Sequence, residues 1–182
     1  MRALVALLCG LVVLAGCGIE PQPVPEPLPI PAPPVPEPGL PGGETSTVMT
    51  VFFVRGAELV PVERPVEEMS AAEALAALTA GPTRTEVIAG LRTAIAPQPL
   101  SVDVGRPGGF TSVAVTPEFT GVTGGNQLLA VAQVVWTLTE LENTNRVRFL
   151  LNGVPVEVPT DSGLTDDPVG RDHFPSVAPV PE

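Results

Sequence analysis

The sequence predicts a single compact α+β domain, with two main helices on one face of an antiparallel or mixed sheet. Three segments are rich in β-branched and aromatic residues and are interrupted by turn residues, as β-hairpins are. Helical segments with capping residues and apolar side chains lie between the hairpins. Hairpins that alternate with helices are typical of the α+β class.

The uneven distribution of proline separates the part of the chain that can form this domain from a part that cannot. The 182 residues include 24 prolines, no lysine, no tyrosine and one histidine, and 11 of the prolines lie between Pro21 and Pro41. The 44% hydrophobic content excludes a wholly disordered chain. A net charge of −11 argues against a nucleic-acid-binding protein or one that adheres to anionic surfaces.

The amino terminus has the features of an export signal. Met1-Arg2 is a short positive start, and Ala3–Val13 is an apolar run of signal-peptide length. The run ends in Leu14-Ala-Gly-Cys17, which resembles the lipobox of bacterial lipoproteins. In that family the cysteine thiol receives a diacylglycerol and the peptide is cleaved just before it. The resemblance predicts a signal peptide over residues 1–16, cleavage between Gly16 and Cys17, and lipidation of Cys17.

An uncleaved anchor is the alternative interpretation of this segment. Ala3–Ile19 is uncharged and mostly apolar, and it lies at the lower length limit of a spanning helix. Both interpretations tether the protein to the membrane with the remainder outside. If the peptide is removed, Cys9 goes with it and Cys17 is acylated, so no thiol remains for a disulfide, a metal or a nucleophile.

Residues 17–44 are predicted to form a lipid-bearing, proline-rich linker. Pro21–Pro41 is nearly an X-Pro repeat, which favours polyproline II because each proline fixes φ and keeps its predecessor extended. From Glu20 to Pro41 such a segment extends up to about 70 Å at about 3.1 Å per residue, enough to lift a domain off the bilayer. The alternative is a ligand for an aromatic-lined groove, because several P-x-x-P registers occur.

The domain itself is predicted over residues 45–175 and begins with a hairpin. Residues 47–54 are β-branched and aromatic, residues 55–58 are typical of a turn, and residues 59–64 form the return strand.

Two capping boxes predict the helices that follow. The run from Ser70 to Glu73 begins a helix over Ala71–Ala80, which Gly81-Pro82 ends. The run from Thr83 to Glu86 begins a short helix that Gly90 closes.

The middle of the domain combines a hairpin with the longest helix. Residues 100–104 and 111–115 are strands around a turn at 106–109. Pro117-Glu118-Phe119 is interpreted as a strand exit with a buried phenylalanine. Asn126–Leu141 carries apolar residues on more than one stripe, which predicts a largely buried helix against a sheet.

A third hairpin ends the predicted domain. Residues 146–151 and 154–158 flank Asn152-Gly153, a pair typical of a type I′ turn. Residues 176–182 are predicted to be a flexible tail.

These segments together resemble a GerMN domain, the sporulation and germination module of GerM-type lipoproteins in spore-forming bacteria. The most specific stretches are LTAGPT at 78–83, AQVVWTLTEL at 132–141 and NGVPV at 152–156. Residues 168–174 are similar to the family's closing P-x-x-R-x-aromatic segment, with His173 where an aromatic residue is more usual. The resemblance implies a compact α/β sandwich related to ring-building modules, and an envelope assembly or interaction domain rather than an enzyme.

Residues with chemical potential do not form a convincing active site. Asp172-His173 is the only acid–histidine pair, and no G-x-S-x-G elbow accompanies it. Asp161–Asp167 lacks the ligand spacing of an EF-hand and is interpreted as a solvated loop. Trp136 is assigned to the core rather than to a binding pocket. No catalytic residue, metal ligand or cofactor is predicted.

The predicted interaction surface consists of Arg146, Arg148, Arg171 and Asp172. Arg146 and Arg148 alternate along one strand and therefore face the same side. They either pair with Glu157 across the last hairpin or present a small cationic face to a partner.

The functional hypothesis is a noncatalytic lipoprotein on the extracytoplasmic face of the cell membrane, whose domain binds an envelope protein through a sheet edge or a helix face. A homo-oligomer is compatible with this hypothesis. The alternative is a binder of small ligands or cell-wall glycan, although few aromatic residues are present for stacking. An envelope hydrolase is the least favoured class.

Overall fold

The computed structural model describes residues 47–103 and 110–180. The predicted signal peptide, Cys17, the proline-rich linker and the turn at 106–109 lie outside these residues. The described residues belong to one compact unit. In the part of the chain that is described, no helix has the length and hydropathy needed to cross a bilayer.

The described residues of this unit form eight strands and four helices. The strands are β1 (Thr47–Arg55), β2 (Glu58–Val66), β3 (Ser101–Asp103), β4 (Thr111–Val115), β5 (Val147–Leu151), β6 (Val154–Pro155), β7 (Val158–Thr160) and β8 (Gly163–Thr165). The helices are α1 (Ala71–Ala80), α2 (Arg84–Ile88), α3 (Pro117–Thr120) and α4 (Gly125–Leu138), followed by 3₁₀ turns at Arg171–His173 and Pro175–Val177.

The predicted α+β class is confirmed, with the strands divided among three sheets. β1 and β2 form one antiparallel pair, β7 and β8 form another, and the third sheet has the order β3-β4-β5-β6. This third sheet is mixed, because β4 and β5 run parallel while its other pairs are antiparallel. A parallel pair needs a crossover connection, and α3 and α4 lie between these two strands in the chain.

The core lies where α1 and α4 pack on β1 and on each other. Val51–Val54 in β1 are all buried, and so are the consecutive residues Leu129–Val135 of α4. The prediction of a largely buried long helix is therefore confirmed. Phe119 of α3 is buried as predicted and stacks on Phe149 of β5, with ring centroids 5.5 Å apart.

Polar side chains of α4 close the inner edge of β1. The Phe52 N–H donates to Oγ1 of Thr137 (3.0 Å), and Nε2 of Gln133 donates to the Phe52 carbonyl (3.0 Å). Oε1 of Gln133 also accepts the Ala94 N–H at 2.7 Å. Gln133 and Thr137 are fully buried. At Phe52 the helix therefore supplies the hydrogen bonds that a neighbouring strand would otherwise make.

The helix ends follow the capping predictions with one difference. At α2 the box is complete: the Thr83 N–H donates to Glu86 (2.7 Å), and the Glu86 N–H donates to Oγ1 of Thr83 (3.4 Å). At α1 the Glu73 N–H donates to Oγ of Ser70 (3.2 Å), but the Ser70 N–H donates to the Glu68 carbonyl instead. The predicted reciprocal box at α1 is therefore wrong in its second half.

The long helix ends three residues earlier than predicted, at Leu138. Thr139 turns its hydroxyl back to the Val135 carbonyl (2.7 Å), a local bond that competes with helix continuation. Arg171 donates to the Trp136 carbonyl, so a side chain satisfies this group at the helix end.

The third hairpin has the predicted turn but a shorter return strand. Asn152 and Gly153 both have positive φ, 54° and 78°, as a type I′ turn requires. β6 covers only Val154–Pro155, although the next residue, Val156, still donates its N–H to the Phe149 carbonyl (3.1 Å).

The segment after the third hairpin differs from the prediction. Residues 158–165 form the β7–β8 hairpin, so Asp161–Asp167 is not simply a loop. Ser176 hydrogen-bonds to Asp161 through both its backbone N–H and its hydroxyl, and Val177 is buried. The prediction of a flexible tail is therefore wrong for its first residues.

Candidate interaction surface

The structure brings together two of the four predicted surface residues as an ion pair. Nη2 of Arg146 lies 3.3 Å from Oδ2 of Asp172, and Nη1 of Arg146 donates to the Pro168 carbonyl (3.2 Å). Both side chains are well exposed, so the pair contributes little to stability. The other two arginines are directed elsewhere.

Arg171 is committed to the carboxyl end of α4. Its Nε donates to Oγ1 of Thr139 (2.7 Å), its Nη2 donates to the Trp136 carbonyl (3.0 Å), and it forms an ion pair with Glu140. The guanidinium also lies 4.6 Å from the Trp136 ring centroid and 5.7 Å from that of Phe52. A cation at a helix carboxyl end is favoured by the helix dipole. Arg171 therefore holds residues 168–174, which we call the closing segment, against the core.

Arg148 packs against an aromatic ring. Its guanidinium carbon is 4.8 Å from the ring centroid of Phe110. Within residues 47–103 and 110–180, neither Arg146 nor Arg148 forms an ion pair with Glu157. The proposed cross-hairpin pair is therefore wrong, since the carboxylate that Arg146 meets comes from the closing segment.

The acid–histidine pair, Asp172 and His173, makes hydrogen bonds within the closing segment. The Gly170 N–H donates to Nδ1 of His173 (3.2 Å), and the same nitrogen lies 3.1 Å from Oδ1 of Asp172. Burial raises the pKa of Asp172, but the His173 hydrogen bond and the charges of His173 and Arg146 lower it, and the net pKa lies below its usual value. Nδ1 can accept from Gly170 only when it carries no hydrogen and can donate to Asp172 only when it carries one.

Metal ligands do not cluster in the described residues. No group of three or more histidine, cysteine, aspartate or glutamate side chains stands close enough there to hold an ion.

The outer edge of β2 is poorly suited to pairing with another strand. Phe52 turns its N–H and C=O to α4, so Phe52 and its partner Pro61 form a non-hydrogen-bonded pair of the β1–β2 ladder. By the same alternation Pro61 and Pro65 face their backbone nitrogens outward, where proline has no hydrogen to donate. Pro179 and Val180 border the same surface at its start. Sheet-edge docking is therefore disfavoured at this strand.

A surface cleft lies between the start of α1 and the turn after α4. It has a volume of about 490 Å³. Its lining comprises Met69, Ala71, Glu140, Leu141, Glu142, Asn143 and Thr144. We call this site the acidic cleft. Met69 is 47% exposed there.

A second cleft, of about 420 Å³, separates the end of α1 from α2 and the following segment. Its lining is largely apolar and includes Pro82, Val87, Leu91, Ile95 and Pro97. Val87 and the neighbouring Ile88 are both exposed.

The sequence contained no direct signal for the acidic cleft. Glu67-Glu68-Met69 precedes a capping box and has the composition of an ordinary solvated turn. Met69 and Glu142 line the same cleft because α1 packs against α4. The spacing of residues along the chain does not predict this packing. The two arginines of the predicted cationic face, in contrast, contact other residues of the domain: Arg146 pairs with Asp172, and Arg148 lies over Phe110.

Comparison with protein families finds one match. The family described as Germane, sporulation and spore germination, matches residues 50–157, more than half of the chain. Comparison with curated proteins returns no match.

Solved structures with a similar fold include GerMN domains of the sporulation protein GerM from Bacillus subtilis. The first GerMN domain matches at a TM-score of 0.54 and 21% identity, over 70% of this chain and 99% of that domain. The tandem GerMN structure matches at a TM-score of 0.54 and 21% identity, over 69% of this chain. The chain spans about half of that tandem structure, since the match covers 46% of it.

Proposed function

The chain belongs to the Germane family of sporulation and spore germination, and from this premise we propose that it is a lipid-anchored protein of the extracytoplasmic membrane face. Its domain acts without catalysis, by binding another protein of the cell envelope. The observation that carries the proposal is the combination of a sequence that resembles a lipobox, Leu14-Ala-Gly-Cys17, with a domain of this family in one chain.

The sequence before the domain supports the anchoring part of the proposal. A diacylated cysteine carries two acyl chains, and two membrane signals give stable attachment where one is marginal. The X-Pro repeat between Pro21 and Pro41 is suited to a semi-rigid spacer. Together these features would hold the domain away from the bilayer and within reach of a protein partner.

The contacts of the closing segment support the noncatalytic part. Arg171 is bonded to the end of α4, Asp172 to Arg146, and the His173 ring to Gly170. Ser176, the serine nearest to His173 in the sequence, hydrogen-bonds to Asp161. These contacts hold the segment in place. A hydrolase would need a nucleophile hydrogen-bonded to the histidine, and among the described residues the His173 ring contacts Gly170 and Asp172 instead.

Glycan binding receives no comparable support. Sugar rings stack on exposed aromatic faces, and Trp136 already has the guanidinium of Arg171 over its ring. The Phe52 ring meets it edge-on at 5.4 Å. The aromatic residue that the glycan hypothesis would use is therefore occupied.

Lipid labelling tests the anchor. Cells that express the full chain would be grown with labelled fatty acid, and label should enter the protein and be lost in Cys17→Ser. Cys9→Ser is the matched control, because it removes the other cysteine and should keep the label. Persistent labelling of Cys17→Ser would overturn the lipobox assignment.

Crosslinking in living cells tests the interaction part. A photoreactive residue would be placed in turn at exposed positions such as Ile88, Glu142 and Glu157. At least one position should give a discrete crosslinked envelope protein, with the same partner recovered repeatedly. Uniform absence of such a product from every face would contradict the proposal.

A further inference from the structure

We propose that the acidic cleft binds a basic, amphipathic segment of a partner protein. This inference rests on the proposed function, because it names the surface and the kind of partner that a protein-binding envelope domain would use. The cleft lies between two helix ends and is lined by both apolar and acidic residues.

The apolar part of the cleft offers a place for one or two apolar side chains. Met69 is 47% exposed, and Leu141 is only partly buried against the core. A volume of about 490 Å³ lies within the range of sites that hold small molecules or a few side chains. Methionine is flexible and polarisable, so it adapts to apolar partners of different shapes.

The charge around the cleft selects a cationic partner. Glu140 and Glu142 line it, and Glu67 and Glu68 directly precede Met69. Glu140 is already paired with Arg171. Among the described residues no ion pair involves Glu67, Glu68 or Glu142.

The helix ends do not offset this charge. At the carboxyl end of α4, which leads into the cleft at Glu140, the Arg171 guanidinium offsets the partial negative charge of the helix dipole and the charge of Glu140, so this end adds no positive charge to the cleft. The amino end of α1 is partially positive, but Glu73 lies in its first turn and balances it. A partner with acidic side chains would therefore be repelled, and a purely apolar one would bury carboxylates without a counter-charge.

A synthetic peptide provides the direct test. The probe is a fluorescein-labelled 14-residue helix of lysines and leucines, with the leucines at i, i+3 and i+4 spacing. A peptide in which glutamate replaces every lysine is its control. Binding to the full chain in neutral detergent would be followed by fluorescence anisotropy. We expect saturable binding of the lysine peptide, several-fold weaker when NaCl rises from about 50 to about 500 mM, and no binding of the glutamate peptide.

Matched double variants locate the binding surface. Met69→Gln with Glu142→Gln removes one exposed apolar side chain and one charge from the cleft. Val154→Gln with Glu157→Gln makes the same two changes on the last hairpin, where both residues are exposed. We expect the cleft pair to weaken binding about tenfold or more and the hairpin pair to change it less than about twofold.

Two outcomes would overturn the proposal. The first is no saturable binding of the lysine peptide. The second is equal weakening by both double variants, which would indicate general attraction to an acidic protein. In either case, retained lipidation of Cys17 and retained cellular crosslinks from other faces would leave the proposed function standing.

Discussion

Replacing Gln133 by leucine should destabilise the domain strongly, although leucine suits a buried position and a helix. The change removes the bond from Nε2 to the Phe52 carbonyl and the bond from the Ala94 N–H to Oε1. Two backbone groups then lose their partners, at about 1–3 kcal/mol each. Burial of the more apolar leucine side chain returns about 1 kcal/mol. The expected loss is therefore about 3 kcal/mol of the free energy of unfolding.

Urea unfolding of the full chain, followed by the fluorescence of the single tryptophan, measures this loss. Gln127→Leu is the matched control, because it makes the same substitution on α4 at a residue whose side chain forms no hydrogen bond among the described residues. It should change the free energy of unfolding by less than about 0.5 kcal/mol. Thr137→Val keeps the side-chain shape and leaves only the Phe52 N–H unpaired, so it should cost about 1–3 kcal/mol.

The result that would refute this reasoning is equality of Gln133→Leu and Gln127→Leu. Equal costs would mean that the edge of β1 does not depend on the helix for its hydrogen bonds. A loss in Gln133→Leu with no loss in Thr137→Val would confine the dependence to the Phe52 carbonyl and the Ala94 N–H.

Three further predictions concern side chains and turns outside this contact. Arg64 forms two hydrogen bonds to Glu86 and, with the other contacts of the α2 cap, lowers the pKa of that carboxyl from 4.5 to about 2. The stabilisation from this carboxylate is therefore complete above pH 4.5 and is lost as the pH falls towards 2. Glu86→Gln should cost about 1 kcal/mol of the free energy of unfolding at pH 7 and flatten the acid limb of a stability–pH curve, and an unchanged acid limb would contradict this. Arg171→Met should cost about 2–4 kcal/mol of the free energy of unfolding in urea, because it removes both hydrogen bonds to the end of α4 and the ion pair there. A change below about 0.5 kcal/mol would show that residues 168–174 are held by other contacts. Gly153→Ala should lower the thermal midpoint, since φ is 78° at this turn, while Gly125→Ala at the first residue of α4 should be neutral or stabilising; the opposite order would refute the assigned turn.

Local signals were sufficient for the elements whose residues determine their own conformation. The first hairpin, the limits of α1 and the type I′ turn at Asn152-Gly153 follow from strand propensity, from Ser70 and Gly81 at the helix ends, and from residues that tolerate positive φ. In each case the deciding interaction joins residues a few positions apart. Such interactions are visible in the sequence.

Contacts between distant residues were not predictable in the same way. Arg171 was predicted to belong to the interaction surface, yet Thr139 and the Trp136 carbonyl, over thirty residues away, hold it against the core. The β7–β8 hairpin has no apolar alternation to distinguish it from a loop, since residues 163–165 are not buried. Gln133 gave no sequence signal either, because a glutamine within an apolar helix only predicts that some partner exists.

The closure of the β1 edge by α4 has a consequence for the order in which the chain is made. Phe52 is separated from Gln133 by 81 positions and from Thr137 by 85. During synthesis, and during any transport of the chain amino end first, the apolar strand appears long before the helix that completes it. Until then, part of its edge is exposed to pairing with other chains. The edge at Phe52 can therefore be closed only after α4 has been made and has packed against β1.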